Sequence, residues 1–248
     1  MNHVAKLALR IEQKGQGIPV IFKNRDEAGR RLASRLGKYA DRDDVIVLGV
    51  PRGGVPIAFE VATTLNLPLD IFVLRKLGVP GHEELAFGAI GSGGVRVLNE
   101  DVVERLGISD LKIDLVIRTE REELERREKL YRGNRPPLDV HERTVILVDD
   151  GIATGASVMV AIQALKQMKP AAIVVAAPVA PRATYERLRR EVDEMVCVEM
   201  PEPFYGVGQF YLDFSQVSDN EVIELFEGAS RQRAEQRPAV GATPRGAR

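Results

Sequence analysis

The chain has 248 residues, 44% hydrophobic and 29% charged, which are globular values and exclude disorder throughout. Lysine and arginine (35) balance aspartate and glutamate (36) to a net charge of −1, so no overall field draws in nucleic acid or an anionic membrane. The single cysteine, Cys197, excludes an internal disulfide framework and a cysteine-based zinc site. His3, His82 and His141 show no metal-ligand spacing. No apolar run has the length of a signal peptide core or of a membrane span, so a cytoplasmic protein with no membrane or nucleic-acid partner is expected.

Residues 1–21 read as an N-terminal extension. Asn24 with Glu27 resembles a capping box opening a helix through Leu36. Val45–Val50 is a continuous apolar run, as expected of a strand covered on both faces, and Val55, Ala58, Phe59, Ala62 and Leu65 follow at helical spacing. Leu69–Leu74 reads as a second strand. Leu85–Ile90 and Val95–Leu98 flank Gly91-Ser92-Gly93-Gly94 and read as a hairpin. Residues 109–132 read as one long charged helix with acid-first pairs such as Glu122/Arg126, Glu123/Arg127 and Glu128/Arg132, each contributing about 0.3–0.5 kcal/mol. Its alternating signs predict a solvated face. Leu111, Leu115, Leu124 and Leu130 give it a narrow apolar side for the body or for a second subunit, which leaves a homodimer open.

Val145–Val148 reads as a third strand, followed by a helix with Val158, Ala161, Ile162, Leu165 and Met168 on one face and stopped by Pro170. Ile173–Ala177 and Met195–Val198 read as strands around a helix from about Pro181 to Val192. Ser218 with Glu221 opens a last helix to about Phe226. Beyond Gly228 the chain is rich in Arg, Ala, Gly, Pro and Gln without periodicity, and 228–248 is expected to be a disordered tail. Strands alternating with helices imply an α/β domain with a parallel sheet over residues 22–227.

The segment richest in chemistry is Val145-Ile146-Leu147-Val148-Asp149-Asp150-Gly151-Ile152-Ala153-Thr154-Gly155-Ala156-Ser157. An apolar strand ends in two carboxylates, and a loop with two glycines leads into a helix. Unpaired N–H groups and the helix dipole make such a loop an anion site, best matched to phosphate. Gly151 and Gly155 permit close approach, while Thr154 and Ser157 can donate hydroxyl bonds. Asp149 and Asp150 stand where open α/β sheets bind ligands, ready to accept bonds from sugar hydroxyls or to hold a divalent cation through water. Gly-Lys-Ser/Thr and Gly-x-Gly-x-x-Gly are both missing, so neither a Walker loop nor a dinucleotide fingerprint is present. A second anion site is predicted at Pro51-Arg52-Gly53-Gly54, which follows the first strand.

Residues 145–157 resemble the signature of the type I phosphoribosyltransferase family, and the resemblance covers roughly residues 22–226. Val50-Pro51-Arg52-Gly53-Gly54-Val55-Pro56 and Tyr211-Leu212-Asp213-Phe214 are similar to runs in its branch of predicted phosphoribosyltransferases. The resemblance implies a doubly wound parallel sheet of about five strands, with the hairpin and charged helix inserted and a small hood. It implies transfer of the 5-phosphoribosyl group of 5-phosphoribosyl-1-diphosphate (PRPP) to a nitrogen nucleophile such as a nucleobase, with pyrophosphate released and Mg²⁺ as cofactor. By resemblance, Asp149 and Asp150 hold the ribose hydroxyls; no residue is expected to bind the metal directly, these two acids being its candidates through water. Gly151, Ile152, Ala153, Thr154, Gly155, Ala156 and Ser157 hold the 5-phosphate, and Arg52, Gly53 and Gly54 the pyrophosphate. Arg75-Lys76, followed by Pro80-Gly81-His82-Glu83, is similar to a stretch of adenine phosphoribosyltransferases, making Arg75 and Lys76 candidate diphosphate ligands with a catalytic role.

Two departures bear on the substrate. Ala153 stands where the 6-oxopurine branch has an acid, and Ala86, before Phe87-Gly88, stands where the adenine branch usually has Glu. No residue is thereby assigned to proton transfer at the base, Glu83 and Glu84 being the nearest acids, and a non-catalytic PRPP- or nucleotide-binding regulatory module is the alternative. Phe204, Tyr205, Phe210 and Tyr211 cluster near Gly206 and Gly208, either as a hood that stacks the nucleophile or as aromatics packed over the sheet edge.

Overall fold

The computed structural model describes residues 22–236. The expected N-terminal extension and residues 237–248 lie outside the described residues. Helix α1 (Arg25–Arg35) is capped as predicted: Asn24 Oδ1 accepts from Glu27 N–H at 3.0 Å, and Glu27 Oε2 accepts from Lys23 N–H at 2.8 Å. Strand β1 (Val45–Gly49) is buried on both faces and runs through a tight turn into α2 (Gly54–Thr64). β2 is Leu69–Ile71, β6 Thr144–Val148, α5 Ala156–Gln167, β7 Ala172–Val179, α6 Arg182–Leu188 and β8 Glu194–Glu199. These strands form one parallel sheet in the order β2-β1-β6-β7-β8.

Both faces of the sheet are covered. Val45 and Val47 of β1 pack with α1 and α2, whereas Ile46 and Leu48 pack with Val158, Ile162 and Leu165 of α5. This is the doubly wound parallel sheet expected, and all the chain crossings within it leave from the carboxyl ends of the strands. The register pairs Gly49 with Val148, so the loops after β1 and β6 leave the sheet side by side.

The apolar run at 69–74 is not one strand. After Ile71 the chain leaves the main sheet: Ser92 Oγ accepts from Val73 N–H at 3.0 Å, and Ser92 N–H donates to the Val73 carbonyl at 2.9 Å. Leu74 then starts β3 (Leu74–Val79), which pairs antiparallel with β4 (His82–Gly91), itself paired with β5 (Val95–Leu98). Ile71, Phe72 and Val73 are buried on either side of the break, so the apolar run 71–74 crosses from one sheet to the next and periodicity gives no sign of it. The expected hairpin is therefore two strands of a three-stranded sheet.

A short helix α3 (Glu100–Leu106) leads into α4 (Asp110–Arg132), the long charged helix. Its buried face is Ile113, Ile117, Leu124 and Tyr131, packed toward β3, β4 and the last helix. Of the four leucines expected to form its apolar side only Leu124 is buried; Leu111 is 81% and Leu115 64% exposed, and Leu130 is also exposed. The inserted sheet selects the isoleucine row, a choice invisible where two apolar rows compete along one helix. Arg132 pairs with Asp70 of β2 through two bonds of 2.8 and 3.0 Å rather than with Glu128.

The last helix, α7 (Asp219–Gln236), starts at the predicted Ser218 cap but continues past Phe226 and Gly228. This moves the expected start of the tail. Val222, Phe226 and Ala229 form one buried row against α2 and β2, and the Arg135 guanidinium lies 3.9 Å over the Phe226 ring, so packing carries the helix through the glycine. The helix α6 is shorter than expected, ending at Leu188. Among the described residues no helix is long and apolar enough to cross a membrane.

Candidate active site

The fully buried β6 drives the chain to the carboxyl end of the sheet, where Asp149 and Asp150 emerge partly exposed. Asp149 N–H still bonds the Ala176 carbonyl of β7, and Asp149 Oδ1 accepts from Asp150 N–H at 2.9 Å. Burial, with the neighbouring Asp150 carboxylate, pushes Asp149 up to about 8. Burial also raises Asp150, against the opposing pull of the Arg25 guanidinium.

The loop after β1 lies directly against this pair. Val50 N–H donates to the Val148 carbonyl at 3.0 Å, and Gly54 N–H to the Val50 carbonyl at 3.0 Å. The Pro51–Arg52 peptide is cis. A Cβ on Gly53 would stand 2.0 Å from Asp150 Oδ2, and one on Gly54 would stand 2.6 Å from the Val148 carbonyl oxygen and 2.9 Å from Asp149 Cα. Backbone therefore approaches the acids at distances only glycine permits.

On the other side, Ile152 N–H anchors the following loop to the Val179 carbonyl at 2.9 Å. Gly155 takes the left-handed conformation (φ 71°) and starts α5 with no side-chain cap of its own, while Ala156 N–H donates to Thr154 Oγ1 at 3.4 Å. Ala153, Thr154, Ala156 and Ser157 are exposed on this loop, while Gly151, Ile152 and Gly155 are buried. Two residues of α6 hold the loop by its carbonyls: Thr184 Oγ1 donates to Ala153 O at 2.8 Å, and the Arg187 guanidinium donates to Thr154 O. Val207 seals the loop from above, since a Cβ on Gly151 would stand 2.4 Å from its Cγ1.

The structure thus brings Arg52, Gly53 and Gly54 together with Asp149, Asp150 and residues 151–157. It does not bring Arg75 and Lys76 to a strand end. Both lie inside β3, opposite Ile90 and Ala89; Arg75 is bound by Glu120 of α4 at 2.7 Å and Lys76 is exposed. Among the described residues no hydrogen bond or ion pair joins either to the acids or to the glycine loops. The side chains of Glu83 and Glu84 lie outside the described residues.

The aromatic group is also corrected. Phe210 and Tyr211 are core, 0% and 2% exposed, with Phe210 against Phe204 at 4.9 Å and Tyr211 between Phe22 and Phe214 at 5.5 and 5.0 Å. They pack inward because the segment returns to pair with Phe22, so neither stacks a ligand. Tyr211 instead donates its hydroxyl to the Asp150 carbonyl at 2.5 Å. Tyr205 is 87% exposed and remains available.

Sequence reasoning missed Arg25. It opens α1, a position where a cation opposes the helix dipole, and that mismatch was a readable signal of an outside partner. Its Nε and Nη2 lie 3.0 and 2.9 Å from Asp150 Oδ2, its Nη1 donates to the Ser215 carbonyl at 2.8 Å, and its guanidinium sits 4.1 Å over the Phe214 ring. A cavity of about 330 Å³ opens here, lined by Arg25, Arg52, Gly53, Asp150, Phe214 and Gln216. On its rim Arg52 Nη1 stands 3.9 Å from Asp219 Oδ1, which also accepts the Tyr131 hydroxyl at 2.5 Å.

The geometry is that of two neighbouring glycine-bearing loops and an acid pair sharing one end of the sheet. The family model for the phosphoribosyl transferase domain matches residues 21–215. Two Mycobacterium tuberculosis proteins named "Putative phosphoribosyl transferase", Rv0571c and MT0597, are each 46% identical over 215 residues, 87% of this chain and 48% of theirs. The chain thus spans about half the length of these curated relatives. The crystal structure of TT1426 from Thermus thermophilus superposes with a TM-score of 0.72 at 39% identity, covering 83% of this chain and 97% of that one. Sequence, fold and the arrangement of the two loops around the acids agree, and the chain belongs to the phosphoribosyl transferase domain family.

Proposed function

We propose that the chain transfers the 5-phosphoribosyl group of PRPP to a nitrogen nucleophile, a nucleobase being the first class to test, and releases pyrophosphate. The observation that carries this reading is the apposition of Gly53 and Gly54 to Asp149 and Asp150 at the mouth shared with the 151–157 loop. In this reading the N–H groups and hydroxyls of 151–157 receive the 5-phosphate, and the two carboxylates accept the ribose hydroxyls. Arg52 and the N–H groups of its loop receive the diphosphate. The bond from the anomeric carbon to the diphosphate oxygen breaks, the diphosphate keeps the electron pair, a bond to nitrogen forms, and the nitrogen's proton passes to water. Holding both ends of PRPP fixes the reacting carbon, and Arg52 offsets charge on the leaving group.

The donor set fits magnesium. Among the described residues no hydrogen bond reaches Asp149 Oδ2 or Asp150 Oδ1, and Mg²⁺ is commonly held by one or two carboxylates, water and substrate phosphates. Asp149 and Asp150 would hold it through water, where it would supply charge neutralisation for the diphosphate.

The test is pyrophosphate release from PRPP and magnesium across a panel of nucleobases and other amines. Asp149→Asn is expected to cut turnover severely with the fold intact, and an unchanged rate refutes the assignment. A second reading, a PRPP- or nucleotide-binding regulatory module, draws on Ala153, which is exposed at the loop where the 6-oxopurine branch carries an acid. Tight PRPP binding with no release for any nucleophile decides for it.

A further inference from the structure

We infer that Arg25 is a positioning residue that presents one chosen oxygen of Asp150 to the ribose and ties that acid to the 214–217 wall of the neighbouring cavity. The inference rests on the PRPP reading above and deepens it.

Three features of the contact carry it. First, the guanidinium uses two of its nitrogens, Nε and Nη2, on the same carboxylate oxygen, Oδ2, at 3.0 and 2.9 Å. Arg75 grips Oε2 of Glu120 in the same way at 2.7 Å, away from the acids, so what sets Asp150 apart is its place at the strand ends beside Asp149. Here Oδ1 receives no hydrogen bond among the described residues, so it is the oxygen left to accept a hydroxyl. Second, Asp150 has no freedom to exchange its oxygens. Oδ2 is pinned between the guanidinium and the Gly53 backbone, which approaches so closely that a Cβ there would stand 2.0 Å away. The Asp150 carbonyl is separately held by the Tyr211 hydroxyl. Third, Arg25 is itself immobilised. Its side chain is 11% exposed, its Nη1 is bound to the Ser215 carbonyl at 2.8 Å, and Phe214 lies under its plane at 4.1 Å. Arg25 thus spends three of its five N–H donors on Asp150 and on the chain leading into α7. It acts through Asp150.

The consequence is a mechanical link. Asp150 belongs to the ribose side of the site, while Phe214, Gln216 and Val217 belong to the cavity wall. One guanidinium holds both, so the setting of the acid and the setting of the wall are one arrangement.

The experiment compares the full-length parent with Arg25→Met, Arg25→Lys and Phe214→Leu by calorimetry with PRPP, ribose 5-phosphate and inorganic pyrophosphate, each with magnesium. Thermal unfolding reports folding of each variant. Loss of two charge-assisted bonds is expected to weaken ribose 5-phosphate and PRPP at least about tenfold in Arg25→Met, with pyrophosphate binding within about twofold of the parent. Arg25→Lys keeps the charge without the fork and is expected to recover part of the loss. Phe214→Leu removes only the stack, with a loss of about two- to fivefold. Unchanged ribose 5-phosphate binding in Arg25→Met overturns the inference, as does an equal loss for pyrophosphate, which marks a merely structural role. Should Arg25→Met fail to fold, Arg25→Lys decides: affinity for ribose 5-phosphate equal to the parent's overturns the inference, and a selective loss supports it. A parent that binds neither PRPP nor ribose 5-phosphate refutes the PRPP reading itself, and the inference falls with it.

Discussion

Adding one methyl group to Gly53 tests the close approach that sets Asp150 in place. In Gly53→Ala the new carbon would stand 2.0 Å from Asp150 Oδ2 and 2.7 Å from Asp150 Cγ, whereas ordinary contact begins near 3.4 Å. The carboxylate must therefore retreat by more than an ångström. Its bonds to Arg25, now 3.0 and 2.9 Å, then lengthen beyond hydrogen-bonding range or Arg25 must leave Ser215 and Phe214 as well. Bonds to charged groups contribute about 1.5–3 kcal/mol each, so PRPP affinity is expected to fall at least about tenfold. Stability is expected to fall as well, by about 3 kcal/mol, because the Arg25 bonds hold the folded chain whether or not PRPP is bound. Gly54→Ala is the companion case. Its methyl would meet the Val148 carbonyl oxygen at 2.6 Å and Asp149 Cα at 2.9 Å, both backbone. Neither can swing aside, and about 3 kcal/mol of stability is expected to go, some 6–12 °C in melting temperature for a domain of roughly this size. Thermal unfolding and PRPP calorimetry on the two variants are the assay. Parent-like PRPP affinity in Gly53→Ala would show that Asp150 does not need this setting, and the argument from close approach would fail.

Ala156 is exposed at the first position of α5, and in the proposed reading Ala156→Glu places a carboxylate among the amides assigned to the 5-phosphate. At about 4 Å and an effective dielectric near 20 each charge pair costs up to about 4 kcal/mol before screening. PRPP binding is expected to be lost with little change in melting temperature, Glu128→Ala serving as the unaffected control, and calorimetry checks both. Asp149 stands raised to about 8 by burial and by Asp150, against 3.8 for an ordinary aspartate. The folded chain keeps this proton where the unfolded chain has lost it, so the contribution of Asp149 to stability falls as pH rises from 3.8 to about 8 and levels above. Melting curves against pH are expected to flatten in Asp149→Asn, while parent affinity for PRPP rises toward pH about 8 as the carboxylate ionises. Arg132→Met leaves Asp70, 15% exposed, without its bidentate partner, and a loss of about 3 kcal/mol is expected by denaturant unfolding with PRPP affinity retained.

Features that depend on local pattern could be read from the chain alone. Apolar runs of strand length divided by helix-period segments are sufficient for a parallel sheet covered on both faces, and the caps at Asn24 and Ser218 announce helix starts by their own hydrogen bonds. The acid pair and the glycine loop after it were legible because strand, carboxylates, glycines and helix start lie within the single run 145–157. Choices between equivalent local patterns were left to the packed molecule. Two apolar rows run along α4, and only the position of the inserted sheet buries Ile113 and Ile117 while leaving Leu111 and Leu115 outside. The run at 71–74 is apolar on either side of its break, so nothing local says that Arg75 and Lys76 continue into a second sheet toward Glu120. Arg25 and Asp150 are 125 positions apart, and Thr184 reaches Ala153 across 31. Such contacts arise because parallel pairing of β1 with β6 and of β6 with β7 stacks the strand ends in register, and charge or hydroxyl groups from distant elements then meet where the strands stop.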